Sequence, residues 1–227
     1  MLHPELLTFT GADDLTSIAD MEALAADHLV EFAILFSGSR EGDARYPSRA
    51  WMAGLNGAGL KLAAHVCGSW ARDIVETGAS DIHDRLTGFD RIQINTSLHL
   101  DLDLISGWGR RLSDSAGRVI PIILQTRDAF PKDNRVQWLF DASGGRGIVP
   151  SAWPAASTNP NVRMGFAGGL GPKAVEQCLA LMPDVKAAWI DMETRVRNER
   201  DEFDLGMCRV VCERVAAMRF GMDLAAR

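Results

Sequence analysis

The sequence has little cysteine, no long apolar run and no surplus of positive charge, and each absence removes a class of protein. Four cysteines in 227 residues (Cys67, Cys178, Cys208 and Cys212) cannot form a disulfide-dense scaffold. No cationic segment followed by an apolar one stands at the N-terminus as an export signal would, so the expected compartment is the reducing cytoplasm. The longest apolar runs, such as Val119–Leu124, fall far short of the roughly 20 residues a membrane helix needs. With 24 Lys and Arg against 30 Asp and Glu, the net charge is −6, which leaves no basic field to attract a polyanion. Neither a membrane nor a nucleic acid is an expected partner. Low-complexity stretches and Pro/Ser/Gly linkers are missing too, which makes residues 1–227 a single domain.

What is present is a repeat of apolar runs and amphipathic segments. Leu6–Thr10, Val30–Phe36, Leu60–Cys67, Arg91–Thr96, Val119–Gln125, Val136–Phe140, Val162–Ala167 and Ala187–Asp191 read as strands. Helical patterns at Leu15–Ala26, Ser48–Leu55, Trp70–Glu76, Leu102–Leu112, Pro172–Leu181 and Phe203–Met218 alternate with them. Asp13 or Asp14 is placed to cap the first helix. Two helices are poorly signalled, because Phe130–Pro131 and Pro150–Pro160 are rich in helix breakers. Eight such strands can build an open doubly wound sheet or a closed (β/α)8 TIM barrel. Eight repeats ending in a helix favour the barrel. The glycine-rich nucleotide fingerprints G-x-G-x-x-G and G-x-x-x-x-G-K-[ST] are absent where an open nucleotide-binding sheet would need them.

A (β/α)8 barrel builds its active site at the C-terminal ends of its strands. The candidates there are Thr10, Ser37, Arg40, Arg45, His65, Cys67, Asn95, Gln125, Arg127, Asp141, Asp191, Glu193 and Arg195. Lys61 opens its strand, so no lysine stands where a Schiff-base aldolase would want one. Two glycine-rich segments are the sharpest local signals. In Phe166–Pro172, Gly168 and Gly169 allow backbone N–H groups to approach a ligand beside a helix start, and the loops after strands 7 and 8 often hold phosphate in this fold. A plain tight turn explains the same glycines. In Leu139–Gly147, Asp141 at a strand end precedes Gly144, Gly145 and Arg146, a loop able to fold over a substrate. Asp141 is suited to general acid or base work if burial raises its pKa, or else simply caps that loop.

These runs, Asp141–Gly147, Gly165–Pro172 and Ile190–Val196, resemble the last three strand ends of the phosphoribosylanthranilate isomerases, barrel enzymes of tryptophan biosynthesis. Thr8–Gly11 stands where that family has Lys-Ile-Cys-Gly, and Arg45–Tyr46 is similar to an arginine-tyrosine pair of its second loop. The resemblance implies an Amadori-type isomerisation of a phosphorylated ribosylamine, with Asp141 as the acid that opens the ring, Arg45 on the substrate, phosphate held at the seventh and eighth loops, and no cofactor or metal. The family's base is a cysteine thiolate. Thr10 takes that place, and an alcohol is too weakly acidic to supply an anion near pH 7. The family's Ser-Ser-Gly phosphate contact is replaced by Glu193–Thr194–Arg195, where Arg195 can fork onto a phosphate and Glu193 would repel one. The parent reaction is therefore expected to be lost or changed.

Substitute bases are available in His65, Cys67, Asp191 and Glu193. His65 and Cys67 differ by two, so on a strand they face the same way, and an inward His65 could titrate near neutrality; a core histidine and a buried thiol are the plainer explanation. Cys208 and Cys212 share a helix face but lack the further ligands a zinc site requires. Asp101 and Asp103 near His99 read as helix caps. Two functions stay open: an isomerase or lyase acting on a small phosphorylated sugar derivative, or a catalytically silent barrel that binds a phosphorylated metabolite or a partner protein. The sequence leaves room for a homodimer.

Overall fold

The alternation of side chains along the eight apolar runs becomes the inside and outside of one closed sheet. A computed structural model describes residues 1–225. The strands are β1 (Leu6–Thr10), β2 (Val30–Phe36), β3 (Leu62–Val66), β4 (Arg91–Ile94), β5 (Ile122–Thr126), β6 (Gln137–Phe140), β7 (Met164–Ala167) and β8 (Trp189–Met192). Each pairs in parallel with its sequence neighbours, and β8 returns to β1 through Leu6↔Trp189 and Phe9↔Met192, closing the barrel in the order β1 to β8. The chain is thus a (β/α)8 barrel.

Outward-facing Phe9, Phe32, Ile34, Ile92, Leu124 and Phe166 meet the helices in the main core. The helices are α1 (Ile18–Asp27), α2 (Arg49–Ala53), α3 (Gly68–Thr77), α4 (Leu102–Ala116), α5 (Val175–Leu181) and α6 (Leu205–Ala225). Ser17 caps α1, accepting from Asp20 N at 3.2 Å. The expected cap Asp13 instead accepts from the backbone of Arg45 at 2.9 Å, which ties the first loop to the second. Asp101 caps α4, accepting from the N–H groups of Asp103 and Leu104, and Cys208 and Cys212 are buried on α6. No helix is formed between β5 and β6 or between β6 and β7, the two breaker-rich stretches. Among the described residues no helix is long and apolar enough to cross a membrane.

Inside the barrel the two halves differ. On the β5–β8 side Ile123, Leu139, Ala167 and Trp189 form a small apolar cluster with Leu6. On the β1–β4 side the interior is polar. Glu31, fully buried, accepts from Arg91 Nε at 3.0 Å and from Thr8 Oγ1 at 3.0 Å. The Arg91 guanidinium also lies 4.6 Å from the centre of the Trp189 ring. Gly165 makes room for that ring, since a Cβ there would stand 2.1 Å from Trp189 Cε2.

Candidate active site

Because β1 and β8 are neighbours, the ends of these two strands bring together residues from opposite ends of the chain. The Thr10 hydroxyl donates to Asp191 Oδ1 at 2.6 Å. The second oxygen of Asp191 lies 4.0 Å from His65 Nε2, delivered from β3. All three side chains are almost entirely out of solvent. Burial pushes the Asp191 carboxyl up to about 7, helped by the negative charge of Glu31 beneath it and opposed by the Thr10 hydrogen bond. Burial acts on His65 in the opposite direction and lowers it to about 4, so its imidazole is neutral at pH 7. The inward His65 is thus held away from the neutral titration that its ordinary value suggests. Cys67 is no thiolate either: burial raises its pKa, and its sulfur accepts from Asn95 Nδ2 at 3.4 Å.

Asp191 and His65 form part of the floor of a cleft of about 140 Å³ at the barrel mouth, whose walls include Gln93, Asp141, Gly144, Gly145, Gly168, Gly169, Thr194 and Arg195. That is smaller than the roughly 300–1,000 Å³ common for drug-sized ligands, so the cleft suits a compact one. Asp141 organises the wall: one oxygen accepts from Ser143 N at 3.0 Å and bonds the Ser143 hydroxyl at 2.8 Å, and the other accepts from Gly145 N at 2.5 Å. These bonds cap the loop after β6. The loop then crosses to Gly168 and Gly169, both at positive φ. A Cβ on Gly169 would meet Val149 N at 2.5 Å, so the glycine is needed for this crossing as well as for any ligand. The start of α5 at Val175 leaves a turn, not helix, at Pro172–Ala174, further from the glycines than the proline suggested.

The predicted residues separate into three groups. His65, Asp141, Gly144, Gly145, Gly168, Gly169, Thr194 and Arg195 line the cleft. Thr10 lies behind it, attached to Asp191. Arg45 and Arg146 point elsewhere: Arg45 pairs with Glu193 at 2.8 Å and Asp201 at 2.7 Å, and Arg146 donates to the Ser143 carbonyl at 2.8 Å. Burial raises the pKa of Glu193, and its bond to Arg45 opposes the rise. Arg195 is exposed at the rim and donates to the Gly147 carbonyl at 3.3 Å, clasping the β6 loop to the β8 loop. Among the described residues Arg127, Arg146 and Arg195 have no carboxylate partner, which leaves this side of the rim cationic above an acidic floor. Sequence reading passed over Gln93, a polar residue in mid-strand whose inward direction is its only signal.

No protein-family model and no curated protein matches the chain. Solved structures do. Phosphoribosyl anthranilate isomerase from Thermus thermophilus aligns over 93% of this chain and 98% of its own, with TM-score 0.56 and 16% identity. KGPDC from Streptococcus mutans aligns over 94% and 98%, with TM-score 0.54 and 9% identity, and a second structure of it is a complex with D-ribose 5-phosphate. At such identities the likeness is one of fold.

Proposed function

We propose that this protein is an enzyme that isomerises a small phosphorylated sugar derivative by proton transfer, with Asp191 as its acid–base group. The observation that carries the reading is a buried carboxyl with a pKa of about 7 on the floor of a mouth cleft. A group half-protonated near neutrality can remove a proton from a carbon beside a carbonyl and return it to the neighbouring atom. Thr10 occupies one oxygen of Asp191 and thereby presents the other toward His65 and the cleft. Thr10 is then a positioning residue, not the base its place in the sequence suggested. Neutral His65 is a hydrogen-bond partner for the polarised oxygen of the substrate. The rim supplies the anion site: Gly168, Gly169 and Thr194 line it and Arg195 adds positive charge. Asp141 keeps the β6 loop folded against the ligand and is the second carboxyl facing it.

The fold likeness to one protein named for a phosphoribosyl substrate and to another in complex with a ribose phosphate supports this substrate class. The test is deuterium incorporation from D2O into aldose and ketose phosphates, followed by NMR. Wild type is expected to exchange the proton beside the carbonyl, and Asp191→Asn to lose at least about a hundredfold in rate while keeping its affinity. Asn can still accept from Thr10, so the fold is preserved. Asp141→Asn should weaken binding and turnover together, because an amide cannot accept from both loop N–H groups. Unchanged exchange in Asp191→Asn would remove that residue from the chemistry. Binding without exchange in wild type would favour the silent barrel.

A further inference from the structure

The floor of the cleft holds one polar group that the proposed chemistry does not use. Gln93 is an inward residue of β4, next to His65 on β3 and Ile123 on β5, and is only 2% exposed. Its amide nitrogen donates to Asn95 Oδ1 at 2.8 Å, and Asn95 Nδ2 donates on to the Cys67 sulfur. The other end of the Gln93 amide, Oε1, is buried with no hydrogen-bond partner among the described residues. Native proteins leave few buried polar atoms unpaired, because the lost hydration is not replaced. Turning both amides over would let Cys67 donate to Asn95 and Asn95 donate to Gln93. That moves the unpaired end from acceptor to donor without removing it. A hydroxyl satisfies either arrangement, since it both donates and accepts.

We infer that Gln93 reads a hydroxyl group of the ligand at the buried end of the cleft, so that the ligand is a sugar phosphate hydroxylated at the carbons far from its phosphate. The inference rests on the sugar-phosphate reading above and adds which part of the sugar is recognised. The depth of Gln93 under the cationic rim sets the orientation: anion outward, hydroxylated end inward. Gln93 is then a specificity residue, and its loss should change which sugar is preferred rather than whether phosphate is held.

The test compares D-ribose 5-phosphate with 2-deoxy-D-ribose 5-phosphate, which differ by one hydroxyl at the end remote from phosphate, by titration calorimetry. Wild type should bind the ribose compound at least about tenfold more tightly. Gln93→Leu should bring that ratio to about one while leaving affinity for the deoxy compound nearly unchanged. Equal affinities in wild type, or a preference that survives in Gln93→Leu, would overturn the inference while leaving the sugar-phosphate site standing. Failure of wild type to bind either compound would instead overturn the site and the inference with it. Gln93→Met repeats the comparison if the leucine variant does not fold, and the wild-type ratio needs no variant.

Discussion

Asp191 and His65 are neighbours on which burial acts with opposite sign, and this makes a measurable pH signature. Asp191 binds its proton more tightly folded, at about 7, than an unfolded carboxyl does at about 3.9, so between those values the folded state carries more protons. Its contribution is full at low pH and is lost as pH rises toward 7. His65 titrates at about 4 folded against about 6.5 unfolded, so its contribution is lost as pH falls from 6.5 to 4. Between pH 4 and 6.5 the two slopes, each up to about 1.4 kcal/mol per pH unit, oppose and largely cancel. Asp191→Asn should expose the histidine slope, so that stability rises with pH across this window. His65→Gln should expose the opposite slope. Urea unfolding at a series of pH values measures both, and parallel curves for wild type and variants would mean the pair is not buried in this way.

Among the strands and loops, the strand ends carry the chemistry and the glycines set how closely neighbours approach. Gly165 on β7 is the clearest case, because Trp189 of β8 lies where its Cβ would be and is held from the other side by Arg91. Gly165→Ala should therefore cost about 1–3 kcal/mol in denaturant unfolding, and combining it with Trp189→Phe should recover part of the loss. A neutral Gly165→Ala would show that the ring can move aside. Much of this was legible beforehand. All eight strands, both glycine loops and the breaker-rich connections without helices could be read from local patterns, because alternation, glycine and proline act over a few residues. Strand and helix ends were less legible: Ser17 rather than Asp13 or Asp14 caps α1, since Asp13 is drawn away by the backbone of Arg45, 32 residues on.

Closure of the barrel as one body places charge in the interior on one side and leaves the other apolar. The Glu31–Arg91 pair joins β2 to β4 beneath the site, with Glu31 fully buried. Arg91→Met would strand that carboxylate and should destabilise by about 3–5 kcal/mol, while Glu31→Leu with Arg91→Met should restore most of the loss. A double-mutant cycle by chemical unfolding decides it, and a double variant as weak as the single one would show that the pair itself holds the barrel together.

The number and order of strands, the rim on which polar residues gather and the two loops rich in glycine were already set by the order of amino acids, since these depend on side-chain period and backbone freedom within short stretches. The partners were not, and they came from the folded arrangement alone. Thr10 meets Asp191 across 181 residues because the last strand pairs with the first. Arg45, similar in sequence to a substrate-contacting arginine, turns instead to Glu193 and Asp201. The protonation of Asp191 and His65 and the unpaired amide of Gln93 follow from how much water the closed barrel excludes, a property of the enclosure and not of any short segment.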